Sequence, residues 1–199
     1  MPRVAPGYKD DVRRRILKAA LEEVNASGMQ ALRMEDVAAR VGISRAALYN
    51  YFNDKEALLA AILMGMREEG ESVMEDIFEG TSFREALSTV FDVIVLSIEE
   101  MPGIEAEFFS IASRTPEIRT SMENVFEETL TRLAGYIAAG QKRGEVLSKG
   151  DPFCLAELVM YTLGGLKHAI IFGADTTVLK ARWDAMADLL FFTGDTPQD

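Results

Sequence analysis

Hydrophobic residues recur at helical spacing along nearly the whole chain, and this pattern predicts an all-α protein. The segment from about residue 10 to residue 26 carries an inward stripe made of Ile16, Leu17, Ala20, Leu21 and Val24. The same spacing predicts later helices at about 54–79, 82–101, 117–141, 152–172 and 176–192, with a short helix around Phe108. Residues 1–8 are predicted to form a flexible arm, and residues 194–199 a frayed tail.

Residues 34–56 predict two short helices joined by a tight turn, which is a helix–turn–helix. Val37, Ala38 and Val41 place apolar side chains on one face of the first helix. Gly42 can adopt the left-handed conformation that ends such a helix, and Ser44 is a favourable N-cap for the next one. The alternative is a helix–turn–helix that serves only for packing inside the protein.

The second helix of this pair has the composition of a DNA recognition helix. Leu48, Tyr51 and Phe52 are predicted to point inward as anchors. Small and hydrogen-bonding side chains point outward, where a recognition helix needs close approach and polar reach. The candidate DNA contacts are Arg33, Ser44, Arg45, Ala46, Ala47, Tyr49, Asn50, Tyr51 and Lys55. The basic residues of the preceding helix form either a solvated face or a partly phosphate-facing one, namely Arg13, Arg14, Arg15 and Lys18.

This stretch resembles the DNA-binding signature of the tetracycline-repressor (TetR) family. The resemblance covers roughly residues 10–60 and is carried by Val37, Gly42, Ser44, Leu48, Tyr49, Tyr51, Phe52, Lys55, Glu56, Leu58 and Leu59. It implies a DNA-binding head at residues 1–56 and a helical body for ligand binding and dimerisation at residues 57–199. One departure concerns the residue before the first helix of the pair, which in the family often carries a hydroxyl that meets a phosphate. Leu32, Arg33 and Met34 occupy that region here, so Arg33 could reach the phosphate instead.

The resemblance also implies that the last two long helices pair with those of a second subunit. Gly164 and Gly165 lie inside one of them, where each glycine costs about 1 kcal/mol relative to alanine, so close helix packing should compensate. The candidate interface residues are Gly165, Ala169, Phe172, Trp183, Met186 and Leu190. Packing within a single chain is the alternative for each of them.

Methionine and phenylalanine at helical spacing suggest an adaptable apolar pocket in the body, with plain core as the alternative. The candidate ligand-binding residues are Phe91, Ile94, Phe108, Phe109, Met122, Phe126, Met160 and His168. His168 is the sole histidine and could equally be a packed or interface residue. In the resembled family, a small effector held in the body alters the separation of the two heads.

Charge and composition narrow the classes of function. Residues 1–60 hold ten basic and eight acidic side chains, whereas the whole chain has a net charge of −11, so the acidic remainder should face away from DNA. One cysteine and one histidine exclude an intrachain disulfide and a multi-histidine metal site, and they limit acid–base catalysis. We expect no enzyme activity, cofactor or metal. Apolar runs such as 93–96 and 169–173 are too short to span a bilayer, so a cytoplasmic location is expected.

These observations predict a ligand-responsive transcriptional repressor that binds a palindromic operator as a homodimer and is released by a small apolar or aromatic effector. A transcriptional activator, or a DNA-binding regulator that answers to no ligand, is the first alternative. An enzyme with an all-α hydrophobic-substrate site is a second alternative, and a protein-interaction module with a vestigial head is a third.

Overall fold

The computed structural model describes residues 8–101, 103–147 and 149–192, and within these ranges the chain is helical without strands. The α-helices are α1 Tyr8–Ser27, α2 Met34–Val41, α3 Arg45–Tyr49, α4 Lys55–Phe78, α5 Phe83–Glu100, α6 Ile104–Ala112, α7 Pro116–Arg143, α8 Pro152–Ile171 and α9 Thr176–Ala187. A π-helical turn, Asp188–Phe192, continues α9. The all-α prediction is confirmed. The predicted arm, apart from Tyr8, and the predicted tail at 194–199 lie outside the described residues.

Short polar side chains begin several of these helices by accepting hydrogen bonds from otherwise unpaired backbone N–H groups. The N–H of Ala57 donates to Oδ1 of Asp54 at 2.7 Å, at the start of α4. Ser82 and Glu85 form a reciprocal capping box at the start of α5. Asp151 accepts from the N–H groups at the start of α8.

The described residues form two compact units, each with its own core. The head unit comprises residues 8–68 and 103–123, and the body unit comprises residues 69–101 and 124–192. Helices α4 and α7 each contribute residues to both units, and α6 belongs to the head unit. The predicted functional boundary between residues 56 and 57 stays a prediction.

The core of the body unit is built from α5, α7, α8 and α9 around Trp183. The Trp183 side chain is 1% exposed, and its Nε1–H donates to the Leu87 carbonyl oxygen at 2.8 Å. This bond satisfies the indole where water cannot reach it. Trp183 was a candidate interface residue, but it presents no side-chain surface to a second chain. The apolar period of α9 alone could not distinguish the face that packs inward from the face that looks outward.

Candidate functional site

The turn between α2 and α3 has the geometry that the sequence predicted. Gly42 adopts φ 76° and ψ 32°, and the N–H of Ile43 donates back to the Ala38 carbonyl at 3.0 Å. This left-handed residue lets the chain reverse without strain at a side chain. Nη2 of Arg15 on α1 donates to the Val41 carbonyl at 2.8 Å. One of the predicted basic residues of α1 therefore makes a contact within the head.

Helix α3 presents a small polar face above an apolar anchor. Oγ of Ser44 accepts from the N–H of Ala47 at 3.1 Å, which confirms the predicted N-cap. Leu48 is fully buried. Arg45, Ala46 and Asn50 are exposed, and Ala47 and Tyr49 are half-buried.

Helix α3 ends at Tyr49 and is therefore shorter than the sequence predicted. Tighter turns follow, in which the N–H of Tyr51 donates to the Leu48 carbonyl at 2.9 Å. Phe52 is buried as expected, whereas Tyr51 is half-buried beyond the end of the helix.

Arg45 is oriented by two neighbours that frame the start of α3. Its Nη1 lies 2.8 Å from Oε1 of Glu35 on α2, and its guanidinium carbon lies 5.5 Å from the centre of the Tyr49 ring. A hydrogen bond with Tyr49 and the charge of Glu35 raise the pKa of Arg45. Glu35 was not recognised in the sequence, because α2 and α3 approach each other there only through the turn.

Lys55 and Arg33 stand at two other edges of the helix–turn–helix. Nζ of Lys55 donates to the Gln30 carbonyl at 3.1 Å, and burial lowers the pKa of this ammonium despite the nearby charge of Glu56. An ammonium has three N–H donors, so this bond leaves donors for a phosphate. Arg33 precedes α2 without any side-chain cap bond and is exposed, consistent with the missing hydroxyl in the sequence.

The remaining basic residues of α1 are all exposed. The guanidinium of Arg13 lies 5.3 Å from the centre of the Phe52 ring. Arg14 pairs with Asp11 on the same helix at 3.6 Å, and Lys18 is exposed. This part of the predicted basic face therefore lies at the surface of the head, and its contact with a phosphate stays a prediction.

An exposed stripe runs the length of α8. Its residues follow one another at alternating steps of four and three, which is the seam spacing of a coiled coil. We call these residues the α8 seam: Cys154, Leu158, Tyr161, Gly165, His168 and Phe172. Tyr161 is 61% exposed and Phe172 is 84% exposed.

Two of the predicted interface residues, Gly165 and Phe172, lie on this seam. Ala169, Met186 and Leu190 are half-buried and pack against the body core. Among the neighbouring apolar side chains, Leu189 on the π-helical turn is also exposed.

By length and composition alone, α8 is apolar enough to cross a membrane, yet only 17% of the segment is buried. The sequence expectation that no segment could span a bilayer rested on uninterrupted apolar runs, and it missed a helix whose apolar residues are interrupted by a few polar ones. Apolar helices in the cores of soluble proteins also meet this criterion of length and composition. A single chain that leaves such a helix uncovered exposes apolar area that a partner surface can bury.

The predicted ligand-binding residues are not all brought together. Phe91 lies in the body core, and Phe126 and Met160 pack against it. Ile94 on α5 is half-buried.

Three members of the set fall in the head unit instead, where Phe108 is buried, Met122 is half-buried and Phe109 is 59% exposed. His168 is exposed on the α8 seam, with Nδ1 2.8 Å from the Gly164 carbonyl oxygen, so it does not line the apolar cluster. A helical period identifies apolar residues but does not assign them to one unit or the other.

A polar cavity of about 240 Å³ lies in the head unit, lined by Ser27, Gly28, Gln30, Glu107, Ser110 and Ile111. None of these residues belongs to the predicted ligand-binding set. Across residues 8–101, 103–147 and 149–192, no group of three or more His, Cys, Asp or Glu side chains is arranged to hold a metal ion.

Comparison with known proteins places the helix–turn–helix in a described family. The family model for "Bacterial regulatory proteins, tetR family" matches residues 16–62. The chain is 27% identical over 161 residues to the HTH-type transcriptional regulator AqdR of Rhodococcus erythropolis, a match that covers 80% of this chain and 73% of AqdR.

Solved structures share the architecture of most of the chain. A TetR transcription regulator from Haloarcula marismortui superposes with a TM-score of 0.77 at 21% identity, covering 92% of this chain and 99% of that one. The transcriptional regulator FadR from Bacillus subtilis, in complex with stearoyl-CoA, gives a TM-score of 0.70 at 18% identity, covering 87% and 96% respectively. At these identities the likeness shows a common fold.

Proposed function

Since the chain belongs to the tetR family of bacterial transcriptional regulators, we propose that it is a homodimeric, ligand-responsive repressor. It binds a palindromic operator and is released when a small apolar or aromatic effector binds the body. The observation that carries the proposal is the outward face of α3, where a capped helix start places Arg45 and Asn50 beside the small side chain of Ala46.

DNA recognition in this proposal uses α3 in the major groove. Ala46 and Ala47 allow the helix to approach the base edges closely, and Arg45 and Asn50 supply donors and acceptors. Tyr49, Tyr51, Lys55 and Arg33 are assigned to phosphates or groove edges, which fix the register of the head on the duplex. Ser44 caps the start of α3 and is also assigned to the DNA-binding surface.

Homodimer formation is supported by the α8 seam. The seam is apolar at Leu158, Tyr161 and Phe172, and Gly165 between them allows a second helix to approach closely. A symmetric dimer uses the same surface on both chains, and its two heads then require a palindromic operator. Burial between two copies explains why a helix as apolar as α8 is left uncovered in a single chain.

An effector site is proposed in the body beside Phe126 and Met160. These side chains are partly buried at the edge of the core, and methionine adapts its shape to a ligand. FadR, which shares this fold, carries stearoyl-CoA, so a member of the fold accommodates an acyl chain. Because α4 contributes residues to both units, a shift of α4 is the proposed means by which the effector changes the spacing of the heads. Matching heads must stand about 34–36 Å apart, or a multiple of that distance, so a small shift is sufficient.

The first alternative keeps the same head but makes the protein an activator or a regulator that answers to no ligand. Catalysis is not part of the proposal, since a single histidine offers little for acid–base chemistry. The operator lies on chromosomal DNA, so the proposed location is the cytoplasm.

A gel shift with the DNA upstream of the protein's own gene tests the proposal. We expect a discrete complex with the wild-type protein and none with Ala47→Glu, because a carboxylate on the outer face of α3 is repelled by phosphates. Asn124→Glu adds the same charge to an exposed position of α7 and serves as the matched control. A complex that survives Ala47→Glu would remove α3 from the DNA interface. The absence of any complex with upstream DNA or with genomic fragments would contradict the proposal as a whole.

A further inference from the structure

Two charged side chains, one of them from outside the helix–turn–helix, hold the turn that joins α1 to α2. The N–H of Met29 donates to Oε2 of Glu107, which lies on α6. One residue later, the carbonyl of Gln30 accepts from Nζ of Lys55, at the start of α4, at 3.1 Å. Neighbouring backbone groups of this turn therefore bond to a carboxylate and to an ammonium, each in a charge-assisted hydrogen bond.

The conformation of the turn fits the Glu107 carboxylate closely. Gly28 adopts φ 84°, and a Cβ at that position would lie 3.2 Å from Oε1 of Glu107. Met29, which follows, is fully buried. A partly buried N–H in this position needs an acceptor, because an unsatisfied donor is costly to bury.

The turn matters for DNA binding because α2 has no side-chain cap of its own. Arg33 precedes α2 without a cap bond, whereas Ser44 caps α3. The direction in which α2 starts is therefore set by the segment before it. Helix α3 packs on α2, and Val41 of α2 and Leu48 of α3 are both buried, so α3 inherits any change in the direction of α2.

We propose that Glu107 is a positioning residue for operator binding. Its carboxylate holds the α1–α2 turn and thereby sets the orientation of α2 and of the recognition helix α3. The inference rests on the proposed function, since it assumes that α3 reads an operator. It assigns a role in DNA recognition to a residue about 50 positions beyond the helix–turn–helix, on a helix that the sequence placed in the body.

The test compares Glu107→Gln with Glu105→Gln. Both glutamates stand in the first turn of α6, so both variants lose the same charge and the same favourable interaction with the helix start. Glu107 is the one whose carboxylate accepts from the Met29 N–H. For Glu107→Gln we expect the dissociation constant for the operator to rise about tenfold, with the affinity for non-specific DNA and the salt dependence unchanged, because no phosphate contact is lost. Glu105→Gln should bind the operator like the wild type.

A second variant and a readout without DNA guard against loss of folding. Glu107→Asp keeps the charge but is one methylene shorter, and it should share the loss of operator affinity. In amide proton NMR spectra of the protein without DNA, the Met29 resonance should move upfield and exchange faster in Glu107→Gln, but not in Glu105→Gln. An unchanged Met29 resonance would show that the bond is absent and would overturn the inference.

The two levels of the proposal fail in different ways. Equal operator affinities for Glu107→Gln and Glu105→Gln, with an intact wild-type complex, would overturn the positioning role alone. The absence of operator binding by the wild-type protein would overturn the proposed function and the positioning role together.

Discussion

Nη1 of Arg45, the first residue of the recognition helix, lies 2.8 Å from Oε1 of Glu35 on the preceding helix. Both side chains are largely exposed, so the pair contributes little to stability. Its consequence is orientation, because the pair and the Tyr49 ring together restrict where the guanidinium can point. A guanidinium held at the tip of a helix can donate two hydrogen bonds to a guanine.

Arg45→Ala should relax the base preference at one position of each half-site. The loss of a bidentate contact to guanine corresponds to about 1–3 kcal/mol of discrimination. Selection from random DNA measures the preference directly. Arg40→Ala is the control, because Arg40 is also an exposed arginine of the head but pairs with Glu22 and Glu23. The same selected motif for wild type and Arg45→Ala would leave Arg45 as a phosphate contact or a solvated charge.

Lys55→Ala should weaken binding to all DNA sequences by a similar factor. If one ammonium donor meets a phosphate, the slope of log affinity against log salt should decrease in magnitude by about 0.9. Titrations at several salt concentrations provide the slope, and Lys142→Ala removes the same charge from an exposed position of α7 as a control. A lower affinity with an unchanged slope would show that Lys55 acts only through its bond to the Gln30 carbonyl.

Phe172→Glu should convert the protein to a monomer. The side chain is 84% exposed in a single chain, so a charge there does not disturb the core, but a symmetric seam would bring two carboxylates together. Leu96→Glu places the same charge on an exposed apolar residue of α5 that is not part of the seam, and should leave the dimer intact. Sedimentation at micromolar concentration distinguishes the outcomes, and a monomeric wild-type protein would refute the dimer.

Substitution of the two adjacent glycines of α8 distinguishes an effect on helix stability from an effect on the approach of a second helix. Within the described part of the chain, nothing lies within 4 Å of a Cβ built on Gly164 or on Gly165. Alanine at either position should therefore stabilise the helix by up to about 1 kcal/mol. Only Gly165 lies on the seam, so Gly165→Ala should also weaken dimer formation while Gly164→Ala should not. Equal dimer affinities of the two variants would show that Gly165 is not at the helix contact.

Phe126→Ala should abolish the response to an effector while preserving operator binding. The Phe126 ring stacks near Tyr161 at a centroid distance of 6.1 Å, at the edge of the body core, where an apolar ligand would replace packing contacts. A ligand at about a hundred times its dissociation constant stabilises the folded protein by about 2.7 kcal/mol, which a melting curve detects. Phe153→Ala changes an exposed phenylalanine of α8 and is the control. A broad screen of apolar compounds that changes neither the melting temperature nor the operator affinity would favour the regulator without a ligand.

The helix–turn–helix could be predicted in detail because its signals are local. Gly42 ends α2 and Ser44 begins α3 through backbone preferences that act over three or four residues. The inward direction of Leu48 follows from the spacing of its neighbours. The early end of α3 at Tyr49 could not be predicted in this way, because Asn50 and Tyr51 are compatible with either a helix or a turn.

The body was less predictable because α8 and α9 carry apolar residues on more than one face. Trp183 and Tyr161 are both large aromatic residues at helical spacing, yet one forms the core and the other is exposed. The helical period assigns each residue to one face of its helix, but it does not show which face is buried. Contacts across long stretches of chain, such as the bond between Met29 and Glu107, leave no local signal at all.

Selection of binding sites from random DNA by the purified full-length protein tests the central claim most directly. If two copies of the α3 surface read DNA through a symmetric dimer, the selected sites will form a palindrome whose half-sites are separated by about one helical turn, 10–10.5 base pairs, or a multiple of it. The Ala47→Glu variant should select nothing. A single unpaired motif, or a pool that stays random with the wild-type protein, would contradict the account of a dimeric operator-binding regulator.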